Sequence, residues 1–250
     1  MSNGYFREID RGLSRYLNPA TKWIIIANVV IFLVQYVVLV ILGLREIFTL
    51  LFCQIPFFAV QRFQVWRFVT YMFLHGGGMH LLFNMLALFF FAGRLEDKWG
   101  SKGFLKFYFV CGIGAAIVHA LFTYLTSEPF QAMLGASGAV YGILLAYALY
   151  WPEQKVLLYF FIPIKIKYLV VIFGLLEFMG TVGVSGDGIS HITHLGGLLT
   201  AFIYLRGWNK ISNLFGGGGG FRGGPRGPRK VVKRYYRDAD GKIYVEFDEE

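Results

Sequence analysis

Charged residues are scarce in this chain. Only 16% of its 250 residues are Asp, Glu, Lys or Arg, whereas soluble domains average about 25%. Apolar residues make up 56%, and they form long blocks rather than the spaced stripe of one amphipathic face. This composition excludes an ordinary water-soluble domain and indicates a membrane protein.

Cysteine is also rare, and the sequence lacks paired cysteines, a recognisable signal peptide and a zinc-protease motif. Cys53 and Cys111 lie in apolar surroundings without CxxC spacing, which excludes a disulfide framework and a paired-thiol site. The first twenty residues contain no short apolar core before a small-residue cleavage site, so no removable signal peptide is expected. HExxH, the motif of many zinc proteases, is absent. No metal ligand set and no cofactor are predicted.

Six apolar stretches are long enough to cross, or nearly cross, a hydrocarbon core of about 30 Å. They cover residues 23–43, 73–93, 104–125, 137–151, 165–180 and 191–206. We therefore predict an all-α polytopic membrane protein. Its domains would be a cytoplasmic segment over 1–22, a six-helix membrane domain over 23–208, a Gly/Pro/Arg-rich flexible linker over 209–230 and a short charged tail over 231–250 with a small hairpin around Asp240 and Gly241.

Lys and Arg are distributed unevenly between the predicted loops. The loops TSEPFQAM and TVGVSGDG contain neither residue, whereas Lys and Arg lie before the first span, between the second and third, between the fourth and fifth, and after the sixth. Because cytoplasmic loops carry the excess of positive charge, both termini should be cytoplasmic. A bacterial inner membrane is expected because it fits the short cytoplasmic N-terminal segment. The net charge of +9 is then explained by topology and by lipid contact of the tail, so no specific nucleic-acid partner is expected.

Polar residues from three predicted spans fall at one depth. His80 precedes Arg94 by 14 residues and Ser137 precedes Trp151 by the same number, which corresponds to about 21 Å of helix. His194 precedes Arg206 by 12 residues, or about 18 Å. Ionisable groups inside a membrane are costly unless they face a bundle interior or a cavity. A shared polar site below the outer surface is therefore predicted.

Ser137 and His194 have the chemistry of a nucleophile and its base. A serine hydroxyl attacks a carbonyl only if a neighbouring base accepts its proton, and a neutral histidine is the usual base. Small residues would let the two helices approach each other, namely Gly138 and Gly142 on one and Gly197 and Ala201 on the other. Tyr141, one turn after Ser137, is expected to hold the imidazole by stacking.

His80 and Asn84 are predicted to donate to the oxyanion that forms during acyl transfer. The two residues are four positions apart and share a helix face, and the backbone N–H of Ser137 at a helix N-terminus adds another donor. No acidic residue is identified at this depth, so a Ser–His dyad rather than a triad is expected.

Together these motifs resemble the rhomboid intramembrane serine proteases over about residues 20–208. The resemblance rests on six groups of residues, namely Trp66-Arg67, His75, His80 with Asn84, Gly135-Ala136-Ser137-Gly138, Tyr141, and His194 with Gly197. It implies the same roles for Ser137, His194, His80 and Asn84, support of the histidine by Tyr141, and bracing of the cytoplasmic end of the second helix by Glu96. It also implies transmembrane protein substrates that enter beside the fifth helix. Ala201 departs from the family pattern, which often has glycine there.

Several other interpretations remain open. A silent rhomboid-like protein would bind membrane clients without cutting them, and a metal or haem carrier would use the histidines as ligands, namely His75, His80, His191 and His194. His191 competes for the role of base. His119 is expected to be a hydrogen-bonded core residue and His75 to shape a cavity mouth, while Trp66 and Arg67 either anchor the interface or tether the first loop. The oligomeric state is not indicated.

Overall fold

A computed structural model describes residues 18–158, 161–182, 191–214, 231–237 and 243–249, with side chains up to residue 206. Residues 1–17, most of the predicted linker and the turn at Asp240 and Gly241 lie outside this part. The described chain is mostly helical. Its helices are α1 (Pro19–Ile41), α2 (Arg45–Phe52), α3 (Pro56–Gln61), α4 (Arg67–Thr70), α5 (Gly78–Ala87), α6 (Gly93–Leu125), α7 (Ser137–Tyr150), α8 (Ile166–Val182) and α9 (His191–Leu214).

Each of the six predicted spans overlaps a helix of the described chain, but only two helical segments are long and apolar enough to cross a membrane. Within the described residues, Pro19–Ile41 and Gly78–Leu125 are long and apolar enough to cross a membrane, and Ser137–Tyr150 is a shorter apolar helix. The segment Gly78–Leu125 continues from α5 through a wider π-helical turn at Leu88–Ala92 into α6. The six-crossing arrangement stays a prediction.

Gly100 divides the longest helical segment. Its φ of 71° and ψ of 160° lie outside the helical range, in a region that glycine adopts without steric cost. The predicted second and third spans therefore meet at this break instead of being separated by a loop.

Glu96, just before the break, holds the start of α1. Its carboxylate accepts hydrogen bonds from the backbone N–H of Ala20 and of Thr21, both at 2.8 Å, and from the Ser101 hydroxyl at 2.6 Å. The first N–H groups of a helix have no partner inside it, so Glu96 caps α1 while it bridges the break at Gly100. The bracing role implied by the resemblance agrees with these contacts.

The connection between α1 and α5 folds into short helices and is fastened by Arg67. Its guanidinium donates to the backbone oxygens of Leu50 and Cys53 at 2.6 Å and to the Gln64 side chain at 2.6 Å. The Trp66 indole donates to the oxygen of Leu51 at 3.2 Å. Of the two roles left open for these residues, the contacts support the tether.

The bundle is centred on α6, α7 and α9, whose mutual contacts are the most extensive between helices of the described chain. Small residues set how closely they pack. A methyl group added to Gly142 would lie 2.7 Å from the sulfur of Cys111, and one added to Gly196 would lie 2.8 Å from Val118. These separations are shorter than van der Waals contact, so the glycines permit this packing.

Two small antiparallel hairpins complete the described chain. The connection between α7 and α8 contains strands β1 (Lys155–Leu158) and β2 (Ile162–Lys165). Strands β3 (Val231–Arg237) and β4 (Ile243–Glu249) pair along seven residues each, at the place where the tail is predicted to form a hairpin.

Candidate active site

Ser137 begins α7 after a short loop that only glycine permits. Gly135 has a φ of +124°, and its N–H donates to the oxygen of Tyr71 at 2.9 Å. A Cβ at Gly135 would lie 2.7 Å from Cε1 and Nε2 of His80 and 3.7 Å from Oγ of Ser137. The absent side chain thus leaves room for the His80 ring beside the serine. As the first residue of the helix, Ser137 also presents a backbone N–H that has no partner within α7.

Helices α7 and α9 touch backbone to backbone next to the serine. A Cβ at Gly197 would lie only 1.9 Å from the carbonyl oxygen of Gly138. One turn further on, a Cβ at Gly142 would lie 3.4 Å from that of Ala201. The two small faces predicted from sequence therefore meet, and the methyl group of Ala201 is accommodated.

This contact brings Ser137 and His194 into hydrogen-bond distance. Nε2 of His194 and Oγ of Ser137 are 2.8 Å apart, although the two residues are 57 positions apart in sequence. The ring of Tyr141 stacks on the imidazole with 4.4 Å between ring centroids and 7° between planes. Both the pairing and the stacking agree with the sequence-based predictions. Because stacking restricts rotation of the ring, Nε2 is kept facing the hydroxyl.

Glu177 of α8 completes this group, and the sequence-based prediction missed it. Its Oε1 lies 2.9 Å from Nδ1 of His194, and it also accepts a hydrogen bond from the Tyr141 hydroxyl. The expectation that no acidic residue lies near the dyad is therefore wrong. The Nδ1 contact meets the distance for an ion pair, but its direction lies off the line of a straight hydrogen bond. We regard it as a short electrostatic contact.

His191 lies in the same cluster, but its described ring contact is with Glu177 and not with Ser137. Its Nδ1 is 2.6 Å from Oε2 of Glu177, whereas the ring nitrogen at Ser137 belongs to His194. Of the two candidate bases, the geometry therefore favours His194.

The two predicted oxyanion residues occupy different environments. His80 lies against Gly135 and next to the serine, with its Nδ1 facing the backbone N–H of Gly76 at 3.4 Å. Asn84 is buried, and its Nδ2 donates to the oxygen of His80 at 2.9 Å within the same helix. The structure thus places the His80 ring beside the loop that precedes Ser137, while the described contacts of Asn84 are to its own helix.

The two remaining core histidines differ from expectation. His75 and His119 are fully buried, and none of their ring nitrogens has a hydrogen-bond partner among the described residues. His119 is therefore a core residue but not a hydrogen-bonded one, and His75 is enclosed instead of lining a cavity mouth. The rings of His75 and His80 lie 5.0 Å apart, edge to face, so His75 packs behind His80.

Comparisons with known proteins relate the sequence of this chain to several rhomboid proteins. The chain is 33% identical over 156 residues to Rhomboid-like protease 3 of Toxoplasma gondii, a match that covers 61% of this chain and 55% of that protein. It is 32% identical over 138 residues to Putative rhomboid protease YdcA of Bacillus subtilis (strain 168), covering 55% and 64%. A third relative, RHOMBOID-like protein 6, mitochondrial, of Arabidopsis thaliana, is 33% identical over 146 residues, covering 57% and 43%.

Each of these matches spans less than two thirds of the relative's own length. The family model of the Rhomboid domain matches residues 62–208, which include every candidate site residue. As this match extends over more than half of the sequence, the chain belongs to the rhomboid family.

Proposed function

We propose that this chain is an intramembrane serine endopeptidase that hydrolyses a peptide bond in or beside a transmembrane segment of its substrate. The observation that carries the proposal is the 2.8 Å contact between Nε2 of His194 and Oγ of Ser137. A serine and a histidine at this distance form the minimal apparatus for nucleophilic acyl transfer. Two of the relatives described above also carry the word protease in their names.

The proposed reaction begins with proton transfer from the Ser137 hydroxyl to Nε2 of His194 as Oγ attacks the scissile carbonyl carbon. The resulting oxyanion accepts hydrogen bonds from the backbone N–H of Ser137 and from the side chains of His80 and Asn84. His194 then protonates the leaving amine and an acyl-enzyme remains on Oγ. Water, deprotonated by His194, hydrolyses the ester and regenerates the serine.

The substrate must expose a carbonyl to Ser137, and an intact helix hides its own carbonyls in hydrogen bonds. We therefore propose that segments with glycine, proline or other weak helix formers near the outer membrane face are preferred. In the proposed topology six helices cross the bilayer with both termini cytoplasmic. The relatives come from a bacterium, a plant and Toxoplasma, so the bacterial inner membrane also stays a prediction.

The test is cleavage of a single-span model substrate in reconstituted vesicles by wild type and by Ser137→Ala. We expect the variant to lose more than about 1,000-fold in kcat, as removal of a serine nucleophile does elsewhere. A serine-directed phosphonate should label wild type and fail to label Ser137→Ala and His194→Ala. Equal cleavage by wild type and Ser137→Ala would exclude the proposal.

The same experiment separates the rival functions. A silent rhomboid-like protein would bind the substrate but leave it uncut, and the serine–histidine contact at Ser137 gives that rival no support. For the metal or haem carrier, no group of three or more His, Cys, Asp or Glu side chains suited to a metal ion was found in the described part of the chain. Metal analysis of the purified protein tests this rival directly.

A further inference from the structure

Glu177 is an acidic side chain in an otherwise apolar stretch of α8. The helix Ile166–Val182 contains no other Asp or Glu, and the Glu177 side chain is only 10% exposed. A carboxylate within a membrane is costly unless donors or cations compensate it, and such residues are functional candidates by default. The proposed dyad mechanism gives Glu177 no role, so its presence needs a separate explanation.

The contacts of Glu177 are directed at the proposed catalytic base and its support. Oε1 lies 2.9 Å from Nδ1 of His194 and accepts from the Tyr141 hydroxyl, while Oε2 lies 2.6 Å from Nδ1 of His191. An ionised carboxylate only accepts hydrogen bonds, so each ring nitrogen that faces it carries a hydrogen. In His194 this assigns the proton to Nδ1 and leaves the Nε2 lone pair for the Ser137 hydroxyl.

The backbone of α8 is shaped to hold the carboxylate in this position. A Cβ at Gly180 would lie 2.6 Å from three atoms of the His191 ring, so the absence of a side chain lets that ring lie against α8. Glu177 and Gly180 are three residues apart on one face of α8, and His191 and His194 are three residues apart on one face of α9. Glu177 and Gly180 of α8 therefore face His191 and His194 of α9.

We propose that Glu177 is a positioning residue that acts on His194 as the third member of a Ser137–His194–Glu177 triad. It fixes the His194 tautomer that accepts the serine proton, and its negative charge stabilises the imidazolium formed when the proton arrives. His191, bound to the second oxygen, holds the carboxylate in place. The inference rests on the proposed function, since positioning matters only if His194 is the base.

The direction of the Nδ1 contact is compatible with this role. The Nδ1–Oε1 separation is short but off the line of a straight hydrogen bond, and catalytic hydrogen bonds are often poorly aligned until substrate binds. Stabilisation of an imidazolium by a nearby carboxylate depends mainly on distance. In serine hydrolases with a Ser–His–Asp triad, the acidic residue holds the imidazole tautomer through a hydrogen bond from Nδ1–H, and a small rotation of the His194 ring would align the same contact with Glu177.

The first test compares Glu177→Gln with wild type in the vesicle assay. The glutamine amide has nearly the size of the carboxylate. Its NH₂ group, however, is a hydrogen-bond donor and would face a ring N–H of His194 or His191, which is also a donor. We expect kcat to fall about 100-fold, within the range that general acid–base groups contribute, while KM changes less than about twofold. A change in KM with unchanged kcat, or no change in either, would overturn the proposal.

A matched control is Glu153→Gln, which removes a carboxylate outside the site. Glu153 pairs with Lys165 at 2.7 Å and with Lys167, and hydrogen bonds from these lysines lower the pKa of Glu153 to about 2, so it is charged under assay conditions. An exposed ion pair of this kind contributes little to stability. The control should keep kcat within about twofold of wild type.

The second test needs no Glu177 variant and is therefore independent of how such a variant folds. Nitrogen NMR of wild-type protein labelled with ¹⁵N-histidine, with His194→Asn to assign the signals, reports which ring nitrogen carries the hydrogen. We expect His194 to be protonated at Nδ1 in the neutral ring. A neutral His194 protonated at Nε2 would overturn the proposal even if Glu177→Gln is inactive.

The two proposals fail in distinguishable ways. If Ser137→Ala still cuts the substrate, the proteolytic function itself is wrong, whatever Glu177 does. If Ser137→Ala is inactive and Glu177→Gln cuts as fast as wild type, the function stands and the role of Glu177 is refuted.

Discussion

The substitution Gly197→Ala tests whether close approach of two helices creates the candidate site. The added Cβ would lie 1.9 Å from the carbonyl oxygen of Gly138, 2.8 Å from its carbonyl carbon and 3.2 Å from its Cα. All three atoms belong to the backbone of α7, so no side-chain rotation relieves the overlap. The helices must separate, and His194, one turn before Gly197, must move away from Ser137.

The size of this movement follows from the contact distances. A Cβ makes ordinary van der Waals contact from 3.4 Å outwards, so α7 and α9 must separate by about 1.5 Å locally. The present 2.8 Å between Nε2 and Oγ would then exceed about 4 Å, beyond hydrogen-bond range. Misplacement of a catalytic group by about 1 Å can cost about 100-fold in rate. Alanine is favoured over glycine in helices by only about 1 kcal/mol, which does not offset the overlap.

The assay is kcat for vesicle cleavage together with the rate of phosphonate labelling, each measured at a temperature where the variant is folded. We expect both rates to fall at least about 100-fold in Gly197→Ala. The matched control is Gly174→Ala on α8, where the added Cβ would lie 3.6 Å from Leu198 in ordinary contact, so its rates should be unchanged. Wild-type rates in Gly197→Ala would refute the reasoning.

Three further substitutions separate geometry, stability and the choice of base. Gly135→Ala should reduce kcat at least about 100-fold. Gly135 has a φ of +124°, and the alanine methyl group would overlap the His80 ring. Unchanged cleavage by this variant would count against this placement of His80. Glu96→Gln should lower Tm by about 4–10 °C, because charge-assisted hydrogen bonds are lost. Its kcat at low temperature should change little. An unaltered melting curve in detergent would contradict the capping role of Glu96. His191→Asn should retain measurable cleavage and phosphonate labelling whereas His194→Asn should lose both; the reverse result would make His191 the base.

The rise of a helix, counted residue by residue, placed Ser137 and His194 at nearly one depth, and the small residues beside them predicted that their helices touch. The pairing itself was inferred from the chemistry of a serine nucleophile with a histidine base and from the resemblance to the rhomboid proteases. Gly197 and Gly138 are the clearest case, since a local pattern in each helix indicated a contact between segments that are distant in sequence. Such patterns are readable because close backbone approach demands glycine.

The same count would have found Glu177 had it been applied to the fifth predicted span. Glu177 follows Lys165 by 12 residues, which corresponds to about 18 Å of helix, the same depth as His194. An acidic residue in an apolar segment is itself a signal of function. What sequence could not give is which oxygen faces which ring, because that depends on the rotation of α8 about its axis.

Other features had no readable signal. The spans predicted over 73–93 and 104–125 imply a break between them, but nothing marks Gly100 as its position, because Gly103 lies nearby in the same segment and glycine is also tolerated inside helices. Whether His119 has a hydrogen-bond partner depends on side chains from neighbouring helices, which no periodicity specifies. Arg67 was ambiguous for a similar reason, since its guanidinium contacts backbone oxygens at positions that sequence does not mark.

The contacts that assemble the candidate site are also contacts that hold the bundle together. Many apolar side chains of the described helices are exposed, such as Val37, Leu175 and Ile203, and in a membrane they would face lipid, so burial of apolar area adds little to helix association. Close backbone contact and hydrogen bonds between polar groups must therefore provide most of the free energy of helix association. A substitution at Gly197 should therefore reduce stability and rate together. One at Glu96, remote from the serine, should reduce stability alone.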